Sequence, residues 1–214
     1  MSGSIEEMIG QQLRKRGIHD PRVLEAMQRI PREEFIPREL RGDAYADAPV
    51  AIGFGQTITQ PYMTALMAQA LELTGGEHVL DVGTGSGYHA AVLGALAKTV
   101  ISIERIPELA ELARANLKRT GLDRNITVVC GDGSLGVPAH APFDAISVAA
   151  ASPLTPPALL AQLNDPGTMV IPVGNRLDQE LLVIRRHSGK TTTRVSTSCR
   201  FVPLVGREGW QEQE

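Results

Sequence analysis

Cysteine is nearly absent from this chain. Its 214 residues hold two, Cys130 and Cys199, far apart and in no CxxC pair. That argues against a disulfide framework or a cysteine-based zinc site, and a reducing, cytoplasmic setting fits best. The five histidines (His19, His78, His89, His140 and His187) form no HxH, HxxxH or HExxH group, so no metal site is expected. Positive charge is not in excess either. The formal net charge of −3 gives no global case for nucleic acid. No run approaches the ~18 apolar residues of a membrane span, and the opening MSGSIEEMIG lacks the cationic and apolar regions of a signal peptide. Ser134 and Ser147 lack the GxSxG context of a nucleophile elbow. What remains is an ordinary globular composition, 43% hydrophobic and 21% charged, with length for one domain and a sizeable core.

Two amphipathic helices are expected near the start. Ile5, Met8, Ile9 and Leu13 recur at helical spacing before Gly17. Asp20-Pro21 then reads as an N-cap followed by proline at the first helical position. REEFI, between Pro31 and Pro37, reads as an irregular connection. Residues 42–61, rich in glycine, proline and small polar residues, read as a long functional loop without regular structure. Pro61 opens a further helix, whose N-terminus is a candidate anion site.

From residue 78 onward strands and helices alternate. HVLDVG, TVISIE (99–104), ITVVCGDG (126–133), FDAISVAA (143–150) and GTMVIPVG (167–174) are near-continuous apolar runs, as in parallel strands covered on both faces. QELLVIRR (179–186) and VSTSCRFVPL (195–204), joined by the polar link HSGKTTTR, are spaced for an antiparallel pair. The fold predicted is α/β: a doubly wound, mostly parallel, Rossmann-like sheet with a small N-terminal helical extension. A single domain is expected, with helices and the long loop over 1–61, an α/β core over 62–174 and a strand pair over 175–214.

The first strand leads into VLDVGTGSGY (79–88), a glycine-rich turn running straight into a helix. Open α/β sheets hold cofactors at such a turn. Tyr88 stands where a dinucleotide fingerprint would have its third glycine. Asp81, two residues before Gly83, would oppose a pyrophosphate but suits the ammonium and sulfonium of S-adenosylmethionine. Glu104, at the end of the second strand, can accept both ribose hydroxyls. Asp132, after the third strand, either bonds an adenine amino group or makes an Asx turn beside Gly133. Three acids at successive strand ends favour S-adenosylmethionine as the cofactor. Cys130, in an apolar strand, reads as a buried small hydrophobe.

PREEFIP (31–37), YADAPVAIGFGQTITQPYM (45–63), VLDVGTGSGYHAAVL (79–93), SIER (102–105), GDG (131–133), APFDAI (141–146), PVG (172–174) and RFVPLVGREGW (200–210) together resemble the protein-L-isoaspartate (D-aspartate) O-methyltransferase family over nearly the whole chain. GQTI-x-QPYM and the RFVPL tail are the more specific signals. The resemblance implies a seven-stranded class I S-adenosylmethionine-dependent methyltransferase fold, cytosolic location and damaged proteins as substrates. It assigns Asp81, Gly83, Gly85, Glu104, Asp132 and Gly133 to the cofactor. Thr57, Ile58, Thr59 and Gln60 would cover the methyl donor and clamp the substrate carboxylate. Thr59 takes the active-site position, where the family usually has serine; threonine keeps the hydroxyl and restricts χ1.

The implied reaction moves a methyl group from S-adenosylmethionine to the free α-carboxyl of an L-isoaspartyl, or D-aspartyl, residue, leaving S-adenosylhomocysteine. The ester then closes to a succinimide that hydrolyses partly to normal aspartate. A carboxylate with a pKa near ~3.5 is already ionised at neutral pH and needs no general base. The exposed backbone of 53–60 is expected to pair with the peptide as a strand would. A monomer is expected, with neither nucleic acid nor membrane as partner. The rivals are a methyltransferase for another small molecule or nucleic acid, a non-catalytic adaptor on the same fold, and an NAD-dependent oxidoreductase. ASPLTPP (151–157) lacks the [ND]PP[YF] order of amino-methyltransferases. An intact Asp81 and Glu104 disfavour the adaptor; Asp81 and Tyr88 disfavour NAD.

Overall fold

A computed structural model describes residues 3–211. Its centre is a seven-stranded sheet in the order β5-β4-β3-β6-β7-β8-β9. The first five of these in chain order are β3 (His78–Val82), β4 (Thr99–Glu104), β5 (Ile126–Cys130), β6 (Phe143–Val148) and β7 (Leu163–Gly174). They pair in parallel. β8 (Gln179–His187) and β9 (Lys190–Cys199) extend the edge as antiparallel neighbours. Chain order reverses between β3 and β6, which opens a crevice at the carboxyl ends of those strands.

The apolar runs bury side chains on both faces because residues alternate along a strand. Val79, Val100, Ala145 and Val170 join one core with Met27, Met67, Leu93 and Leu109 from α2 (Pro21–Arg29), α3 (Pro61–Ala70), α4 (Tyr88–Leu96) and α5 (Pro107–Thr120). Leu80, Ile101, Ile146 and Met169 join a second core with Leu159 of α6 (Pro157–Gln162). This is a doubly wound, mostly parallel α/β sheet with an N-terminal helical extension.

That extension is fastened to the α/β core. Asp20 accepts from the N–H groups of Arg22 at 2.8 Å and Val23 at 3.4 Å, and Pro21 opens α2. Such a cap stabilises by about 1 kcal/mol. Arg22 Nη2 donates to Leu96 O at 2.8 Å, satisfying a carbonyl at the end of α4. The fully buried Arg32 donates to Ala44 O at 2.7 Å, and its guanidinium lies 4.9 Å from the Tyr88 ring centroid.

Several expectations need correction. Residues 42–61 do contain regular structure: β1 (Val50–Gly53) and β2 (Gln56–Ile58) form an antiparallel hairpin. Phe54 and Gly55, both at positive φ (53° and 69°), make its tight turn. Some of the backbone expected to pair with a peptide therefore pairs within the chain. REEF is a 3₁₀ turn, Arg32–Phe35, and the first helix, α1 (Ile5–Glu7), passes into a π-helical turn at Met8–Leu13. β9 starts at Lys190, so most of the supposed link is strand. Residues 200–204 lie beyond β9, and Pro203 makes an isolated bridge to Ala151. Cys130 is exposed, not buried, because it ends β5 at the edge of the sheet.

Candidate active site

The turn after β3 is shaped by backbone that side chains resist. Gly85 has φ +55°, and a Cβ there would lie 3.2 Å from Ile52 Cδ1 of the hairpin. Glycine therefore lets β1 settle onto the turn. Gly87 precedes α4 without a side-chain cap, leaving first-turn N–H groups and the positive end of the helix dipole at the crevice. Ser86 Oγ is buried there without a partner.

A cleft of about 830 Å³ opens over this turn. Thr57, Ile58, Thr59, Gly83, Gly85 and Glu104 line it, and Gly133 does too. Glu104 Oε2 accepts from Gly85 N at 2.8 Å and Oε1 from Ile106 N at 3.0 Å. Each oxygen keeps a lone pair for a hydroxyl. Ile106, Pro203, Leu204 and Val205 add an apolar wall suited to a base.

A second cavity of about 340 Å³ adjoins the cleft, and Thr57, Thr59, Ala149 and Val202 line both. Gln60 and Met63, at the start of α3, line only the smaller one. Gln60 gives α3 no side-chain cap, so that helix end also presents unsatisfied N–H groups. No described residue hydrogen-bonds the Thr59 hydroxyl.

Besides Gln60, two predicted residues, Asp81 and Asp132, stand apart from the cleft. Asp81 is fully buried on the α4 side of the sheet, level with Ser102 and Ser147 on its neighbours. Ser102 Oγ donates to Asp81 Oδ2 at 2.7 Å and lies 2.6 Å from Thr84 Oγ1, while Oδ1 has no partner. Burial pushes the Asp81 carboxyl up to about 7, against the Ser102 hydrogen bond and with help from the Glu104 charge. His89 Nε2 lies 2.9 Å from Ser147 Oγ, and burial pushes its pKa down to about 4.

Asp132 forms the Asx turn that was one of its two readings. Its Oδ1 accepts from Ser134 N at 2.9 Å and Ser134 Oγ at 2.7 Å. Its Oδ2 accepts from Arg207 N at 2.7 Å, which ties down the C-terminal tail. One lone pair on Oδ2 stays available.

The donor set fits S-adenosylmethionine. The orphaned Ser86 Oγ, a carboxylate beside the turn, an apolar wall and an uncapped helix end match its polar end, ribose, base and carboxylate, with the orphaned Asp81 Oδ1 buried behind them. Sequence reasoning missed Ser86, Ile106 and Leu204. The serine between two glycines was a usable signal; the apolar wall was not, because it gathers residues about 100 positions apart. Among the described residues no cluster of three metal-ligating side chains occurs.

Comparison with known proteins agrees with this geometry. The sequence model of the protein-L-isoaspartate(D-aspartate) O-methyltransferase family matches residues 4–209. A Marinobacter nauticus protein-L-isoaspartate O-methyltransferase is 58% identical over 205 residues, covering 95% of this chain and 93% of that one. A relative of the same name from Methanopyrus kandleri is 52% identical, covering 92% and 89%. A solved protein-L-isoaspartate O-methyltransferase superposes with a TM-score of 0.83 at 29% identity, covering 96% of this chain and 67% of that one. A Plasmodium falciparum chain described by the same name, solved with S-adenosyl-L-homocysteine, gives 0.79 at 25% identity, covering 95% and 99%.

Proposed function

Because the chain belongs to the protein-L-isoaspartate(D-aspartate) O-methyltransferase family, we infer that the larger cleft holds S-adenosylmethionine and the smaller cavity receives the isoaspartyl residue. The protein is a repair methyltransferase acting on the free α-carboxyl of isoaspartyl residues in damaged proteins. The carrying observation is the junction: Thr57 and Thr59 border both cavities, so one substrate oxygen can meet the donor there.

S-adenosylmethionine supplies an electrophilic methyl group that needs no activation by the protein. The chain's own part is positioning and desolvation, and orientation alone contributes roughly 7–11 kcal/mol. Thr59 donates its hydroxyl to the acceptor carboxylate, and the first N–H groups of α3 add a positive field. Glu104 binds the ribose, Gly83 and Gly85 let the cofactor approach the backbone, and Gly133 borders the base. Asp81, buried beneath the turn, would complement the cofactor's cationic groups in its ionised form. Thr57, Ile58 and Gln60 close the site over the substrate. D-Aspartyl residues form a second substrate class in this proposal.

The proposal extends to a single-domain monomer with neither nucleic acid nor membrane as partner. Among the described residues no helix is long and apolar enough to cross a membrane. Two unpaired thiols, one of them exposed, support a cytoplasmic location.

The test offers radiolabelled S-adenosylmethionine with paired peptides, one isoaspartyl and one normal aspartyl. Base-labile label entering only the isoaspartyl peptide is expected; label in neither peptide refutes the reading. Thr59→Ala is expected to lower kcat/KM by about 10- to 100-fold, the range for a hydrogen bond to a charged group. Thr59→Ser should remain within about threefold, since the donor is kept.

A further inference from the structure

The smaller cavity has a single charged residue in its lining, Arg200. Arg200 does not line the larger cleft, so it stands on the part of the cavity away from the methyl donor. The residue is exposed, and it has no hydrogen bond or ion pair with any described residue. Its backbone is nevertheless held in place. Phe201 N donates to Gln179 Oε1 at 2.7 Å, Ala151 N to Val202 O at 2.8 Å, and Leu204 N to Ala151 O at 2.7 Å. A fixed backbone therefore presents an unpaired cation at the mouth of the substrate cavity.

The carboxylate that receives the methyl group must sit at the junction, beside Thr57 and Thr59. A guanidinium farther out meets whatever lies one or two residues along the bound chain, since a residue spans about 3.3–3.6 Å. We propose that Arg200 is a specificity-determining residue that binds an acidic side chain next to the isoaspartyl residue of the substrate. The proposal rests on the methyltransferase reading above. A planar guanidinium pairs with a carboxylate through two parallel hydrogen bonds, and it repels a lysine at the same place. The net charge of −3 offers acidic substrates no general attraction, so this cation acts locally.

The experiment measures KM and kcat on isoaspartyl peptides that differ only in the neighbouring residue, glutamate, glutamine or lysine, placed on either side. Wild type, Arg200→Gln, Arg200→Lys and the charge-matched control Arg194→Gln are compared, with melting temperature and S-adenosylhomocysteine affinity as folding checks. In wild type the expected KM order is glutamate below glutamine below lysine, with a spread of about five- to tenfold at low salt, the scale of a partly exposed ion pair. High salt should shrink the spread. Arg200→Gln should reduce it to under about twofold with kcat little changed, Arg200→Lys should keep part of it, and Arg194→Gln should keep all of it. A spread retained in Arg200→Gln, or absent in wild type that turns over every isoaspartyl peptide, overturns the role of Arg200. Failure of wild type on all of the peptides overturns the methyltransferase reading instead.

Discussion

Two buried titratable residues sit on one face of the sheet with opposite shifts, and their signs can be worked out separately. Desolvation pushes Asp81 from 3.8 to about 7 and His89 from 6.5 to about 4. The folded chain holds the Asp81 proton between those values and the unfolded chain does not. Its contribution is therefore full below pH 3.8 and lost as pH rises to about 7. His89 stays neutral in the folded chain, so its contribution is full above pH 6.5 and lost as pH falls to about 4. Each can reach a few kcal/mol, on the order of 1.4 per pKa unit. Relative to Asp81→Asn, the unliganded wild type should lose melting temperature steadily from pH 4 to 7. A difference that does not vary with pH would count against the buried carboxyl. The ligand's ammonium favours the carboxylate form, so S-adenosylhomocysteine affinity by calorimetry should weaken below pH 7 in wild type, by at most about tenfold per unit. Asp81→Asn should abolish that slope.

At the scale of elements, the β1–β2 hairpin forms part of the wall between the two cavities. Val50, Ile52 and Ile58 bury one face of it, while Thr57 on the other face borders both cavities. Gly55→Val places a β-branched residue at φ +69°, a strain of about 1–3 kcal/mol. The expected result is a peptide KM raised several-fold with S-adenosylhomocysteine affinity changed less, read by steady-state kinetics and calorimetry; an unchanged peptide KM would separate the turn from recognition. This hairpin was also where sequence reasoning failed. Its strands are three and four residues long, and GFG between them looks like loop, so period-two burial had too few positions to register. The five parallel strands were legible because each is a near-continuous apolar run. Glu104 was legible because a strand end fixes where an acid points. Asp132 was legible only as an Asx turn, because its bonds from Ser134 are local whereas the one from Arg207 N comes from 75 positions away.

Those long-range partners make the tail part of the site on the scale of the whole molecule. Arg207 N donates to Asp132, Glu208 N donates to Ser134 Oγ at 2.9 Å, and Glu208 Oε2 accepts from Ala158 N at 2.8 Å. Leu204 and Val205 continue into the apolar wall of the cleft, so this strap is held by the turn after β5 and by the first turn of α6. Its approach depends on Gly206, where a Cβ would lie 2.0 Å from Asp132 Oδ1 and 2.6 Å from Ser134 Oγ. Gly206→Ala cannot keep both contacts. Losing them should cost roughly 2–3 kcal/mol, or about 4–12 °C in Tm for a chain of this size. Trp210 is the only tryptophan and lies under the Arg176 guanidinium, 4.9 Å from its ring centroid, so its fluorescence reports the tail directly. In the variant that emission should shift towards the solvent-exposed value, and S-adenosylhomocysteine affinity should fall with it. A shifted emission with undiminished affinity would mean that the tail fastens the fold without shaping the cofactor cleft.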